Sequence, residues 1–308
     1  MAGKLRSVGE ALIKIPAWAV SGIAKKINVF KESAEKQPAF DAESALIRQI
    51  HLVYSVCQNR TYEGYENELQ GLSYGLEDIQ ELVRRTEVID DRKYGLFLSA
   101  LINNTIQQGD TLTLDLKYPL DYVGHRLKQG GRLVLKGVQG NYTGSEACGG
   151  LIELLSEAGD YVGQGMSQGM IIARKKVGNY AGAGMKGGIL EIMAAAGNYA
   201  GKEMEDGTIN IYAAAGEDVA HCMRGGKIIA HKMPGNYAGR GMKGGTLDLL
   251  DGAGDYTGYE MHDGTIIVYK KTGQQTGANR HGGLIKLLAG YKSIGPAAKM
   301  STAHILNS

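Results

Sequence analysis

Apolar and polar residues alternate with a period of two in short segments that recur from about residue 111 to residue 287. Such alternation is typical of strands that bury one face and expose the other. From residue 133 onward, two positions that lie two residues apart are apolar in all nine copies, so we expect both to point inward. The first apolar column is Leu133, Ile152, Ile171, Leu190, Ile209, Ile228, Leu247, Ile266 and Ile285. The second is Leu135, Leu154, Ala173, Ile192, Ile211, Ala230, Leu249, Val268 and Leu287.

The residue between these two columns varies in polarity and is therefore predicted to point outward. A sheet face that is half aliphatic on its outer side commonly contacts another surface. We predict that this face binds a partner protein or the chain's own N-terminal helices. Its aliphatic members are Val134, Ile172, Ile229 and Ile267, and its polar members are Glu153, Glu191, Asn210, Asp248 and Lys286.

A turn motif, Gly-Asn/Asp-Tyr-x-Gly, separates the strands at intervals of 19 residues or a multiple of 19. A fixed period near 20 residues, with a turn in each copy, indicates a solenoid. Together with the alternation, it predicts a parallel β-helix of about nine 19-residue coils, roughly 40 Å long at the usual strand spacing. The motif begins at Gly140, Gly159, Gly178, Gly197, Gly235 and Gly254, with an earlier copy at 121–124 that is one residue out of phase. A further core column is Met166, Met185, Met204, Met223, Met242 and Met261.

The repeated polar positions favour a structural interpretation over a catalytic one, because active-site residues are not normally supplied on every coil. Short Asn and Asp side chains suit turns, where they bond nearby backbone amides. Tyrosines that lie one coil apart can bury their ring faces against one another. A phosphate-binding loop at residues 182–184 is disfavoured because its glycines recur throughout the repeat.

The residues before the repeat predict helices over 41–57, over 76–88 and from about 91 to a stop at Gly109. Residues 61–75 are rich in Tyr, Glu and Gly and are predicted to be irregular, whereas 111–116 should be a strand that leads into the first coil. The last helix should bury Tyr94, Phe97, Leu98, Leu101, Ile102 and Ile106. Such helices can cover the first coil, because the end of a solenoid exposes unpaired strand edges.

We therefore divide the chain into a helical N-terminal region over 1–109, a parallel β-helix over 110–290 and a C-terminal tail over 291–308. Within the first 30 residues, apolar side chains form one helical stripe with the basic residues off it. This stripe is compatible with a helix that covers the solenoid, docks on a partner or lies on a membrane surface. The apolar run at 15–24 is too short to span a bilayer.

The net charge of +2 for 308 residues argues against a general nucleic-acid-binding protein. The three cysteines, Cys57, Cys148 and Cys222, lie far apart and form no Cys-x-x-Cys pair, so neither a zinc site nor an iron–sulfur cluster is predicted. A sparse, odd cysteine count suits a reducing compartment, and we expect a cytoplasmic protein without a cofactor.

One coil, residues 216–226, departs from the repeat: Asp218 replaces the tyrosine, Ala220 replaces a glycine, and His221 and Cys222 are adjacent. Asp, His and Cys this close together are the residue types of a nucleophilic or a metal site. Neighbouring side chains on an extended strand point to opposite faces, so we expect His221 and Cys222 to diverge. A local defect of the repeat, or a notch for a partner, is the remaining interpretation.

A second polar column follows the methionines and should stack on the outer face of the coils. Two of its members are histidines about 4.8 Å apart by strand spacing, which supplies only two ligands for a metal ion. The basic members are suited to an acidic partner surface. They are Lys186, Arg224, Lys243, His262 and His281.

The run Gly178–Gly188, Gly-Asn-Tyr-Ala-Gly-Ala-Gly-Met-Lys-Gly-Gly, resembles a known repeat. It is the glycine-rich repeat shared by the C-terminal domain of glutamate synthase and the β-helical subunit of formylmethanofuran dehydrogenase. The resemblance spans about residues 110–290 and implies a right-handed parallel β-helix without an active site of its own. In glutamate synthase this domain braces the catalytic domains, and in the dehydrogenase it binds the catalytic subunits together.

These observations lead to three functional hypotheses. The first is a non-catalytic scaffolding subunit of a multi-subunit enzyme complex, similar to the β-helical subunit of formylmethanofuran dehydrogenase, in one-carbon or redox metabolism. The second is a glutamate-synthase-like subunit that pairs with separate catalytic chains. The third is a hydrolase that acts at the irregular coil, residues 216–226. In the first two, the partners are protein subunits of the complex.

Overall fold

The computed structural model describes residues 42–57, 61–70, 72–85, 94–128 and 130–288. The predicted stripe within the first 30 residues and the predicted tail over 291–308 lie outside the described residues.

Within the described residues, ten parallel strands form one sheet, in which each strand pairs with the next one along the chain. Between consecutive strands the chain makes one complete turn, so the molecule contains a parallel β-solenoid and the predicted fold class is confirmed. The strands are β1 (Thr111–Asp115), β2 (Arg132–Lys136), β3 (Cys148–Leu154), β4 (Gln168–Ala173), β5 (Lys186–Ile192), β6 (Asp206–Ile211), β7 (Lys227–Ala230), β8 (Lys243–Leu249), β9 (Asp263–Val268) and β10 (Leu284–Leu287).

The strand register follows the predicted columns. Leu133 pairs with Ile152, and Ile152 pairs with Ile171. Every member of the two apolar columns is buried, and so are the six methionines. The first step differs, because Leu112 pairs with Leu133 after 21 residues whereas the later steps take 19. One of the two extra residues lies after Tyr122, and it accounts for the shift of the first turn motif by one residue.

The regular copies of the turn motif connect neighbouring coils through a side-chain hydrogen bond. The Oδ1 atom of Asn141 accepts from the backbone N–H of Asp160 at 2.9 Å, and Asp160 Oδ1 accepts from Asn179 N–H at 2.7 Å. The bonds therefore connect neighbouring coils and do not close the turn within one coil. The tyrosines stack in the same way: the ring centroids of Tyr142 and Tyr161 lie 4.7 Å apart with planes 8° from parallel.

Close approach of the coils explains the paired glycines. Gly188 has a φ of +77°, in the left-handed region that favours glycine. A Cβ atom on Gly187 would overlap the backbone carbonyl oxygen of Ser167 in the preceding coil. A second, shorter ladder of parallel bridges runs through the turns from Gln139 to Ala215. Pro234, which has no N–H group, occupies the equivalent position of the next coil.

The described part of the N-terminal region contains four helices, α1 (Ala42–Val56), α2 (Tyr62–Leu69), α3 (Leu76–Arg85) and α4 (Tyr94–Thr105). Helices were expected at α1, α3 and α4, and these expectations are confirmed. The irregular segment predicted over 61–75 is wrong in its first half. The Thr61 hydroxyl oxygen caps α2 by accepting the Gly64 N–H at 3.2 Å, and α2 gains a buried face. That face comprises Tyr62, Tyr65 and Leu69.

The core between the helices is aromatic. The Phe97 ring lies between three tyrosines from three helices, with centroid distances of 5.3 Å to Tyr54, 5.2 Å to Tyr65 and 5.3 Å to Tyr94. Edge-to-face and tilted geometries of this kind add to the stabilisation that burial provides. None of the helices in the described ranges has the length and apolarity that a bilayer crossing requires.

The helices pack against the first coil of the solenoid. The Asn103 amide donates to the Tyr62 hydroxyl at 2.9 Å and to the His125 carbonyl at 3.0 Å, so one buried side chain joins α2, α4 and the coil. The Ser99 hydroxyl donates to the Tyr122 carbonyl at 2.8 Å, and Gln80 of α3 donates to the β1 backbone at 3.1 Å. The polar edge at the start of the solenoid is thereby hydrogen-bonded.

Candidate functional site

The predicted outward column forms a continuous ladder across β1–β10. Ile172 lies between Glu153 and Glu191, and each of these neighbours is one strand spacing away, about 4.8 Å. Such neighbours cover much of the aliphatic surface. Val134 is only 8% exposed and Ile172 is half-buried, so both offer less surface than the sequence suggests. Ile229 and Ile267 are likewise half-buried.

The acidic residues of this column are paired. Glu153 is buried and forms ion pairs with Arg132 at 2.5 Å and Arg174 at 2.7 Å. These hydrogen bonds, first that of Arg132 and then that of Arg174, lower the pKa of the Glu153 carboxyl. Further along, Lys227 pairs with Asp248 at 2.8 Å. Partners on both sides of the central column therefore neutralise these two carboxylates.

Larger apolar side chains flank the central column. Ile189 is 40% exposed, Met193 is 42% exposed and Tyr212 is 37% exposed. All three lie on the outward side of the sheet, two residues before or after the central column. We call the surface that they form with their neighbours the apolar patch. It comprises Leu151, Met170, Ile172, Ile189, Met193 and Tyr212.

The apolar patch was not predicted from the sequence, because the predicted outward surface included only the residue between the two inward columns. The signal was present: positions two residues to either side share the same face of a strand. Tyr212 also has a polar group in this surface. Its hydroxyl forms a hydrogen bond with Glu191, and this interaction raises the pKa of the phenol. Glu191 of the central column, on β5, lies between Ile189 and Met193, so the patch combines large apolar side chains with a polar group, as protein interfaces do.

The predicted basic column is exposed near the beginning of the strands: Lys186, Arg224, Lys243, His262 and His281. The His262 and His281 rings stack at a centroid distance of 4.8 Å with planes 16° apart. Nitrogen lone pairs lie in the ring planes, so nearly parallel rings do not aim them at one ion. No group of three or more potential ligands occurs within the described ranges.

The irregular coil interrupts the tyrosine ladder. Five rings stack from Tyr122 to Tyr199, and two more stack at Tyr237 and Tyr256. Asp218 occupies the missing position, at the φ of +58° that the tyrosines also adopt. His221 approaches Tyr199 edge-on at 5.8 Å, while the Arg240 guanidinium lies 5.3 Å above the Tyr237 ring. These two side chains occupy the space of the absent ring.

Asp218 is only 5% exposed, and Arg240 provides its positive partner. The Nε atom of Arg240 lies 2.8 Å from Asp218 Oδ1, while its N–H is directed at His221 Nδ1 at 3.2 Å. The contact with the carboxylate is therefore an ion pair without a well-directed hydrogen bond, and Oδ1 is otherwise unsatisfied. His221 Nδ1 lies 3.5 Å from the same oxygen.

The expectation that His221 and Cys222 diverge is wrong. The Nε2 atom of His221 lies 3.5 Å from the Cys222 sulfur. The alternation argument fails here because the residues form a turn, in which Cys222 has a φ of +53°. Burial of the imidazole, and next the charge of Arg240, lower the pKa of His221, while Asp218 opposes the shift.

Comparison with known proteins finds no matching family model and no matching curated protein. Among solved structures, the chain is similar to a chain of the formyltransferase/hydrolase complex (FhcABCD) from Methylorubrum extorquens, crystallised in complex with methylofuran. The two are 27% identical with a TM-score of 0.42. The similarity covers 50% of this chain and 57% of that chain, so this chain spans less than two thirds of the other.

Proposed function

We propose that the chain is a non-catalytic structural subunit that organises a multi-protein enzyme by binding its partners on the outer face of the sheet. The observation that carries this proposal is the apolar patch, where Ile189, Met193 and Tyr212 are exposed on neighbouring strands. Large apolar side chains that cluster on the surface favour contact with another protein.

The solenoid is suited to such a role because its faces are held in place by repeated contacts. Side-chain hydrogen bonds connect successive turns, and the apolar columns between them are buried. A surface that is ordered before binding loses less conformational entropy when a partner docks. The paired carboxylates near the patch also reduce the cost of covering it, since Glu153 already has two cationic partners.

The finer proposal is that the partners belong to a one-carbon enzyme complex of the formylmethanofuran dehydrogenase type. Its support is the glycine-rich repeat, which resembles that of the β-helical subunit of this enzyme. A glutamate-synthase-like assembly would use the same repeat. The two proposals differ in the catalytic chains that should accompany this protein.

The test is affinity purification of the tagged full chain from its native cells, with partners identified by mass spectrometry. A double variant, Ile189→Lys with Met193→Lys, should abolish stoichiometric recovery of the partners because it places two charges in the apolar patch. Its matched control is Lys186→Glu with Lys243→Glu, which changes two exposed residues of the basic column.

Circular dichroism of both variants establishes that the fold is intact. Undiminished recovery by the patch variant would refute the role of the patch. Loss with the control alone would assign binding to the basic column. Recovered chains of a formyltransferase or dehydrogenase would support the one-carbon proposal, whereas chains of glutamate synthase would contradict it.

A further inference from the structure

The irregular coil brings together a thiol, an imidazole and a guanidinium in a way that no other coil of the described solenoid does. Cys222 is half-exposed, and its sulfur is 3.5 Å from His221 Nε2. On its other side the next coil carries Gly241, where an added Cβ atom would lie only 3.2 Å from the sulfur. The absence of a side chain at Gly241 leaves that side of the sulfur accessible.

The direction of the hydrogen bonds determines what His221 does. Arg240 donates to Nδ1 at 3.2 Å, so this nitrogen accepts and Nε2 carries the proton of the neutral ring. The Nε2–H group then points to the Cys222 sulfur as a donor. A hydrogen-bond donor at this position stabilises the negative charge that a cysteine sulfur carries when it attacks a disulfide. Asp218 contacts Arg240 as its counter-ion and does not orient the imidazole as a base.

Cys148 provides the contrast within the same solenoid. It is more exposed than Cys222, yet its sulfur contacts only backbone carbonyls, those of Arg126 at 3.8 Å and Leu127 at 3.6 Å. A carbonyl oxygen can only accept a hydrogen bond, so neither contact supplies a donor to a negatively charged sulfur. The third cysteine, Cys57, is buried among the helices.

We propose that Cys222 is a thiol-modification site that exchanges with low-molecular-weight disulfides. The Cys222 thiolate attacks one sulfur of the disulfide and a new S–S bond forms. The original S–S bond breaks, and the second sulfur leaves as a thiolate with the bonding electrons. The disulfide is the oxidant, so no other redox partner is needed.

The product is a mixed disulfide, because no second described cysteine lies within reach. Cys148 belongs to a coil about four strand spacings away, roughly 19 Å, which is far beyond disulfide geometry. The modification places a new group where the tyrosine ladder is interrupted. This proposal is independent of the proposed function, since it concerns a different face of the coils from the apolar patch.

The test uses the full chain with one cysteine of the pair removed at a time. Cys148→Ser reports on Cys222, and Cys222→Ser reports on Cys148, with buried Cys57 common to both. Reaction at pH 7 with 5,5′-dithiobis(2-nitrobenzoate) is followed by absorbance, and mass spectrometry of the digested protein identifies the modified peptide. We expect Cys222 to react about tenfold faster than Cys148 despite its lower exposure.

Two further measurements separate activation by His221 from simple accessibility. In the Cys148→Ser background, His221→Gln should slow the reaction about tenfold, because an amide is a weaker partner for a thiolate than the imidazole. With the neutral reagent 2-hydroxyethyl disulfide, Cys222 should again react faster than Cys148, and His221→Gln should again slow the reaction of Cys222. This reagent removes the attraction between Arg240 and an anionic reagent. Equal or faster reaction of Cys148, or an unchanged rate for His221→Gln in a folded variant, would overturn the proposal.

Discussion

The helical region and the solenoid are stabilised by different kinds of core. In the helical region each contact is unique: Phe97 contacts three tyrosines that come from three helices. In the solenoid each buried side chain contacts equivalents of itself in the coils above and below, as along the column from Leu133 through Ile152 to Ile171. The first core depends on one arrangement, whereas the second distributes its stability over many equal interfaces.

This difference predicts how far the loss of stability caused by one substitution extends through the molecule. Removal of one side chain from the helical core should affect most of that core, because its few helices share the same aromatic centre. A defect in one coil should be felt chiefly by its two neighbours. The contacts of Asn103, Ser99 and Gln80 join the helices to the start of the solenoid, so the two regions can influence one another through this boundary.

The largest effect is expected for Phe97→Ala. Truncation of this buried ring should lower the free energy of unfolding of the helical region by about 3–5 kcal/mol. Hydrogen exchange followed by mass spectrometry should show lost protection in α4 and retained protection in β6–β9. Ile209→Ala, in the solenoid core, is the control and should reverse that pattern. If both variants lost hydrogen-exchange protection in both regions at once, the helical region and the solenoid would form one cooperative unit.

A smaller effect should come from the glycines of one coil. Gly187→Ala should cost about 1–3 kcal/mol, because the new Cβ atom overlaps the Ser167 carbonyl and forces two coils apart. Gly184→Ala is the matched control: it has a φ of +60°, and its Cβ atom would meet nothing within 4 Å. It should therefore cost only about 1 kcal/mol from backbone strain. Urea unfolding of both variants measures the difference, and equal losses would show that coil spacing does not limit stability.

The smallest effect concerns pH at the boundary between the two regions. His125 is buried there, with Nδ1 2.8 Å from the Ser145 hydroxyl. Burial is the main cause that lowers its pKa below 6.5, with Glu146 opposing and Arg126 reinforcing the shift. Between the lowered pKa of the folded chain and 6.5, the unfolded chain therefore binds a proton that the folded chain does not. The free energy of unfolding should fall on acidification by at most about 1.4 kcal/mol per pH unit for this group.

Unfolding by urea between pH 7.5 and 5.5 tests this prediction. His125→Gln should reduce the dependence on pH without removing it, because burial also lowers the pKa of His51 and His221. An identical slope for wild type and His125→Gln would contradict the assignment.

The solenoid could be predicted from sequence because its signal is repeated. A single alternation such as Leu133–Val134–Leu135 is ambiguous, but nine copies in one register are not. The helix α2 could not be found in this way, since its only local signal is the cap at Thr61 and its tyrosines become informative only against Phe97. Non-periodic packing of this kind depends on contacts that the sequence does not display.

The candidate surfaces were predictable only in part. The outward column was placed correctly, yet Val134 is nearly buried, since exposure depends on the length of the neighbouring side chains. The proximity of His221 and Cys222 was missed because a left-handed φ at Cys222 reverses the expected alternation. Positive φ at a residue other than glycine or asparagine is set by the fold of the preceding coils, which fix the path of the turn.

The hydrogen bond from a regular turn to the amide one coil later has a consequence for the evolution of this protein. Because Asn141, Asp160 and Asn179 make the same bond at the same interval, a regular repeat can be gained or lost among them without creating a new kind of junction. Duplication of 19 residues would lengthen the molecule by one strand spacing, about 4.8 Å, and preserve the direction of every outward side chain. The distance between surfaces on different coils is therefore a quantity that small tandem duplications and deletions can adjust in equal steps.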